Sequence, residues 1–215
     1  MEEKKISLAL FDFDGTMISG DSIVAFLGFA LKRKDISLAG YLKGCFFGAL
    51  YVLKIIGSRQ AKSASMKFYH TLNAEKKQAL DKAFAESLLN RVYPGARKTL
   101  EQHKSEGAHT LLVSASTENY MRYVAEGLGF DGLLCTPVER DGSILHNCHG
   151  AEKVRRIEKY LEEKQIKPDF SASFAYGDSR GDLPMLRLCG HPIIANGKKA
   201  LLKAAPDLSR VEWKE

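Results

Sequence analysis

Apolar and polar positions divide the chain into three stretches. Ile6 to Phe11, ISLALF, is a nearly continuous apolar run ending in turn chemistry, the pattern of a strand buried on both faces of a parallel sheet. From Ser22 to about Arg91 the spacing turns helical, in four segments: AFLGFALKRK, YLKGCFFGALYVLKII, RQAKSASMKFYHTL and KKQALDKAFAESLL, broken near Ser37, Gly57 and Asn73. After Tyr93, Pro94 and Gly95 the period alternates. The pattern predicts a helix to about Glu106, a strand at HTLLVSAS, a helix at ENYMRYVAEGL and a strand at GLLCTPV. A turn from Arg140 to Gly142 leads into a short strand, SILHN. Then come a helix at KVRRIEKYLEEK, a strand at SASFAYGD, a helix at LPMLRLC, a strand at PIIAN and a short helix near KKALLKAA.

Strands alternating with helices predict an α/β fold, an open, doubly wound, mostly parallel sheet with helices on both faces. Ligands of such sheets bind beyond the carboxyl ends of the strands. The four helices inserted after the first strand are expected to form a small bundle over that crevice, placed to act as a lid. The expected division is an α/β core of residues 1–18 and 92–215 with a helical cap of residues 19–91.

Composition adds little until charge is mapped. The 215 residues are 45% hydrophobic and 27% charged, ordinary for a soluble globular chain. Cys45, Cys135, Cys148 and Cys189 form no CxxC pair, so reduced thiols are expected. The start, MEEKK, is acidic where a secretory signal would be basic, which points to a cytoplasmic protein. The net charge of +6 is concentrated: Gly20 to Tyr93 holds 12 Lys and Arg against 5 Asp and Glu. Between Ser22 and Ala74 there are eight basic residues and one acid, Asp35. Such a face suits an anionic substrate or an anionic membrane surface. Nucleic acid is not expected, because the basic positions are not interleaved with aromatics and match no binding motif.

The second inserted helix, GYLKGCFFGALYVLKIIG, is apolar almost all round. Its uninterrupted run, Gly44 to Leu53, is about ten residues between Lys43 and Lys54, half the roughly 20 needed to span a bilayer. It fits an interfacial helix in peripheral contact with a membrane, an apolar lid, or the core of the bundle and a dimer contact.

The chemistry starts at LALFDFDGT. Period-two alternation puts Asp12 and Asp14 on one side of an extended chain, within about 7 Å, where two carboxylates repel unless a cation or a proton lies between them. Gly15 permits a sharp turn and Thr16 can bond back to a carboxylate. A strand followed by a solvated turn would also account for these residues taken alone. Three further polar points fall at strand ends or a helix start: Ser114 in LLVSAS, Lys153 in GAEKV, and Asp178 with Asp182 in YGDSRGD. Together they supply the parts of a phosphoryl-transfer site: a carboxylate nucleophile, a carboxyl proton donor, a hydroxyl and an ammonium for phosphate oxygens, and acids for a hard cation.

In these residues the sequence resembles the haloacid dehalogenase superfamily, in the branch that includes phosphoserine phosphatase. DFDGT at 12–16 matches motif I, Ser114 motif II, Lys153 motif III and GDSRGD at 177–182 motif IV; the helical insertion matches that branch's cap. The resemblance implies a magnesium-dependent phosphatase in which Asp12 becomes an aspartyl phosphate and Asp14 acts as acid and then base. It implies Mg²⁺ held by Asp12, the backbone carbonyl of Asp14 and Asp178, with Asp182 in support, and phosphate oxygens held by Ser114 and Lys153. Asp21 stands where the branch reads a substrate amino group, and Arg59, Lys62 and Lys67 are candidates for the cap cation that reads a carboxylate. The implied substrate is a small phosphometabolite such as phosphoserine, or a lipid or amphiphilic phosphate such as phosphatidylglycerophosphate. Phosphotransfer to another acceptor would share the intermediate, and a phospho-acceptor signalling domain would share the acids, but the latter is shorter and lacks the insertion. His146, Cys148 and His149 in LHNCHG lack a fourth partner nearby, so a closed zinc site is not expected.

Overall fold

The computed structural model describes residues 5–139 and 141–214. Six strands form one sheet: β1 (Leu8–Phe11), β2 (His109–Thr117), β3 (Gly132–Thr136), β4 (Phe174–Gly177), β5 (His191–Ala195) and β6 (Ser209–Val211). Their order is β3-β2-β1-β4-β5-β6, with every pairing parallel. β1 is central and fully buried, as its apolar run requires. Its side chains alternate: Ala9 and Phe11 join one core layer with Leu112, Tyr120 and Tyr176, while Leu8 and Leu10 join the other with Val113, Ile157 and Leu186.

Between β1 and β2 run α1 (Ser22–Lys32), α2 (Leu38–Val52), α3 (Ser58–Met66), α4 (Ala74–Leu89) and α5 (Pro94–Ser105). Asp21, Ser37 and Asn73 cap α1, α2 and α4 by accepting backbone N–H bonds, and Pro94 opens α5. The sheet is completed by α6 (Glu118–Leu128), α7 (Ala151–Glu163), α8 (Leu183–Leu186) and α9 (Lys199–Ala204). Phe26 and Phe84, from α1 and α4, pack on Tyr120 of α6, tying the inserted helices to the sheet's helical layer.

Four expectations need correction. SILHN is not a strand: its backbone turns to side chains instead, Ile144 N donating to Ser63 Oγ at 3.0 Å. The third inserted helix stops at Met66, and a 3₁₀ turn at Tyr69–Thr71 replaces its end. The strand expected from Ser171 begins at Phe174, after another 3₁₀ turn. β6 was not anticipated, since its three residues are largely exposed and carry no apolar run. The turn near Arg140 closes with Gly142 N donating to Glu139 O at 2.9 Å, while Arg140 itself and the acidic start Met1–Lys4 lie outside the described residues.

α2 is apolar but not a buried core element. Only Gly44 is buried on it, and Leu42 (57%) and Phe46 (60%) face outward. Among the described residues no helix is long and apolar enough to cross a membrane. All four cysteines are free.

Candidate active site

Parallel pairing brings the carboxyl ends of β1, β2 and β4 side by side, so the polar residues following each strand converge. Asp12 follows β1 directly. Its carboxylate accepts bonds from Thr16 Oγ1 at 2.8 Å and Lys153 Nζ at 2.7 Å. Lys153 arrives from the first turn of α7, is 1% exposed, and also donates to Asp182 Oδ1 and Val113 O, each at 2.7 Å. Asp12, Asp178 and Asp182 present carboxylate oxygens within 4.8 Å of one another. Asp178 Oδ2 receives Lys198 Nζ at 2.7 Å, and Asp182 Oδ2 receives the N–H and hydroxyl of Ser179 at 2.9 and 2.7 Å.

Three buried acids so close are tolerable only because two lysines reach them. Burial and the neighbouring Asp182 charge push the Asp12 carboxyl up to about 7 even with Lys153 beside it. Burial opposes ionisation of Asp182 too, but there the Lys153 ammonium and the Ser179 bonds win and hold it below the ordinary range. Burial works against the Lys153 charge, yet the Asp12 and Asp182 carboxylates outweigh it and keep the ammonium protonated.

Asp14 is arranged differently. Its carboxylate accepts from the backbone and hydroxyl of Ser22, each at 2.9 Å, and from Ser116 Oγ, and the Ser22 hydroxyl also meets Tyr120 at 2.9 Å. Burial, then the Asp21 charge, raise Asp14 to about 6. Two acids two residues apart therefore have separate partner sets, Asp12 with a lysine and the Thr16 hydroxyl, Asp14 with two serine hydroxyls and a backbone N–H and no cation among the described residues. Gly15, between them in sequence, has φ of +82°, and a Cβ there would lie 2.1 Å from Asp178 Oδ2, so the turn admits only glycine.

Asp12, Asp14, Ser114, Lys153, Asp178 and Asp182 all line one cavity of about 830 Å³. Ser114 lies within β2, where the register to β3 shifts, and its hydroxyl accepts from Ser116 N at 3.0 Å. Asp21 lines the cavity while capping α1. Arg59 does not: it sits on the exposed face of α3, outside the cavity. Lys62, three residues further along α3, turns inward and donates to Ala115 O at 2.6 Å and Asn147 Oδ1 at 2.8 Å. Burial lowers its pKa. His146, Cys148 and His149 form no group of ligating atoms among the described residues. Cys148 is buried against Leu134 O, and His149 lines the cavity beside Gly181.

Sequence reasoning missed Ser22, Ser116 and Lys198. Ser116 had a signal, since it stands two residues after Ser114 and so on the same side of the strand. Lys198 had none, because a lysine after a strand is usually solvated.

The protein is of the α/β class, with an aspartate cluster and a buried lysine beyond the central strands of a parallel sheet and helices inserted after β1. The haloacid dehalogenase-like hydrolase profile matches residues 9–187, and the chain belongs to that family. A histidinol-phosphatase of Neisseria meningitidis serogroup C is 25% identical over 224 residues, covering 94% of this chain and 95% of that protein. A protein of unknown function from Bordetella pertussis Tohama I superposes with a TM-score of 0.87 at 22% identity, covering 97% of this chain and 99% of the other. A substrate-bound phosphoserine phosphatase superposes at 0.65 with 21% identity, covering 97% and 94%.

Proposed function

We propose that this hydrolase is a magnesium-dependent phosphatase that cleaves phosphomonoesters through a phosphorylated Asp12, with residues 19–91 acting as an inserted cap over the site. The observation that carries the reading is the contrast between the two acids. Asp12 shares Lys153 with Asp182, whereas among the described residues the Asp14 carboxylate is bonded to Ser22 and Ser116.

The donor set offered by Asp12, Asp178 and Asp182 is all oxygen, buried and acidic, which fits a small hard cation. Asp12, Asp178 and the Asp14 carbonyl would hold Mg²⁺, with Asp182 in support, and the ion would supply charge neutralisation to the phosphoryl group. An Asp12 oxygen attacks phosphorus, the P–O bond to the leaving group breaks, and an acyl phosphate forms. Asp14, its carboxyl raised to about 6 by burial and the Asp21 charge, gives its proton to the leaving oxygen; its carboxylate then takes a proton from the water that hydrolyses the acyl phosphate. The Lys153 ammonium offsets negative charge that builds on the phosphoryl oxygens, and Ser114 offers a hydroxyl to one of them. Asp14 has the partners of a working acid and base, which favours water as acceptor over a signalling role.

The test is release of inorganic phosphate from a chromogenic phosphomonoester by the purified chain. Sustained turnover with millimolar Mg²⁺, abolished by EDTA and restored by added Mg²⁺, is expected. A single stoichiometric burst without turnover would contradict the hydrolytic reading.

A further inference from the structure

The cavity is larger and more apolar than a small polar phosphate ester requires. It extends from the aspartates to a wall built by α1 and α2, where Leu27, Tyr41, Gly44, Gly48, Tyr51 and Val52 line it and no charged side chain does. Gly44 and Gly48 lie one helical turn apart on the cavity side of α2. At Gly44 an added Cβ would meet Leu27 Cδ1 at 3.0 Å, so the two helices touch there; at Gly48 nothing lies within 4 Å, so the helix leaves open space. Val24 and Val52 are 65% and 76% exposed while lining the same cavity, so its solvent edge along α1 and α2 is apolar, the exposed charged lining residues Asp21, Arg180 and Lys198 lying outside these two helices. Exposed valines at the end of an apolar passage are costly in water unless something apolar covers them.

We infer that the substrate is a phosphomonoester carrying an apolar chain or ring system, its phosphate at Asp12 and its body passing Gly48 toward the mouth between Val24 and Val52. This rests on the phosphatase reading above and names the substrate class for that site. Burial of each methylene is worth about 0.8 kcal/mol, which corresponds to a two- to fourfold gain per carbon while the chain lies in the cavity.

The experiment compares kcat/KM of the full chain, with Mg²⁺, on n-alkyl phosphates from methyl to decyl below their micelle concentrations, and on O-phosphoserine. The expected result is a two- to fourfold rise per carbon over several carbons, then a plateau, with O-phosphoserine at least a hundredfold below the best alkyl ester. Gly48→Leu, which places a side chain in that open space, is expected to lower the octyl-to-methyl ratio at least tenfold, with far-ultraviolet circular dichroism unchanged. A flat series, an unchanged ratio in Gly48→Leu, or preference for O-phosphoserine through Asp21 and Lys62 overturns the inference while leaving the phosphatase reading standing. No turnover on any ester overturns both. Given the expected rise, a matching series of prenyl and aryl phosphates separates lipid-like from aromatic bodies.

Discussion

Replacing Lys153 by methionine removes the one cation shared by Asp12 and Asp182 and leaves a side chain of similar length. The ammonium is 1% exposed and makes three bonds of 2.7 Å, two of them to carboxylates that are themselves buried. Breaking a buried ion pair by deleting one partner costs about 3–5 kcal/mol, because the remaining charge keeps its desolvation penalty. For a chain of this size each kcal/mol shifts the melting temperature by about 2–4 °C, so a fall of roughly 6–20 °C is expected. The loss depends on pH with a definite sign. Asp12 is already raised from 3.8 to about 7 with Lys153 present, and without it rises further. A carboxyl whose folded pKa exceeds its unfolded one contributes stability below pH 4 that disappears as pH climbs through the folded value. Near pH 5 Asp12 is protonated in both proteins and Lys153→Met loses only the Lys153–Asp182 pair, whereas at pH 8 it also leaves the Asp12 charge without its cation, so the deficit is larger at pH 8 than at pH 5. Thermal unfolding followed by circular dichroism in EDTA at both pH values measures this. A melting temperature within about 2 °C of wild type at pH 8, or an equal deficit at the two pH values, would refute the reasoning.

Two further outcomes follow from individual groups. Asp14→Asn removes the proton donor but keeps the shape, so kcat/KM, which reports the steps up to departure of the leaving group, is expected to drop about 10²–10⁴-fold on alkyl phosphates and far less on p-nitrophenyl phosphate, whose leaving group needs no proton; equal losses of kcat/KM on both would contradict the acid role. Asp81 of α4 is buried, accepts bonds from Tyr69 Oη at 2.5 Å and Asn119 Nδ2 at 2.6 Å, and is raised by burial to about 6. Its contribution is thus present below pH 4 and lost as pH rises through 6, by up to about 3 kcal/mol, and Asp81→Asn is expected to flatten the stability profile between pH 4 and 7. An unchanged slope in urea titrations would count against it.

Much of this architecture was readable because burial and periodicity coincide. β1 is buried on both faces, and its apolar run says so; the alternation that placed Asp12 and Asp14 together is the same one that sends Ala9 and Phe11 to one core layer and Leu8 and Leu10 to the other. The strand expected at SILHN failed because its apolar residues anchor a loop: Ile144 is buried against α3 while Leu145 is 52% exposed. The bonds that decide protonation were beyond reach. Ser22 and Ser116 are separated by 94 positions and meet at 2.7 Å only once α1 is laid across the end of β2. Arg59 and Lys62 are three residues apart on one short helix, and only its packing shows that Lys62 is the one turned inward.

The central claim is that Asp12 carries the phosphoryl group. Rapid acid quench of the chain turning over a phosphomonoester with Mg²⁺, followed by peptide mapping by mass spectrometry, tests it most directly. A hydroxylamine-sensitive phosphoryl group on the peptide containing Asp12, absent in Asp12→Asn, is the predicted result; label on another residue, or full turnover by Asp12→Asn, would contradict the account.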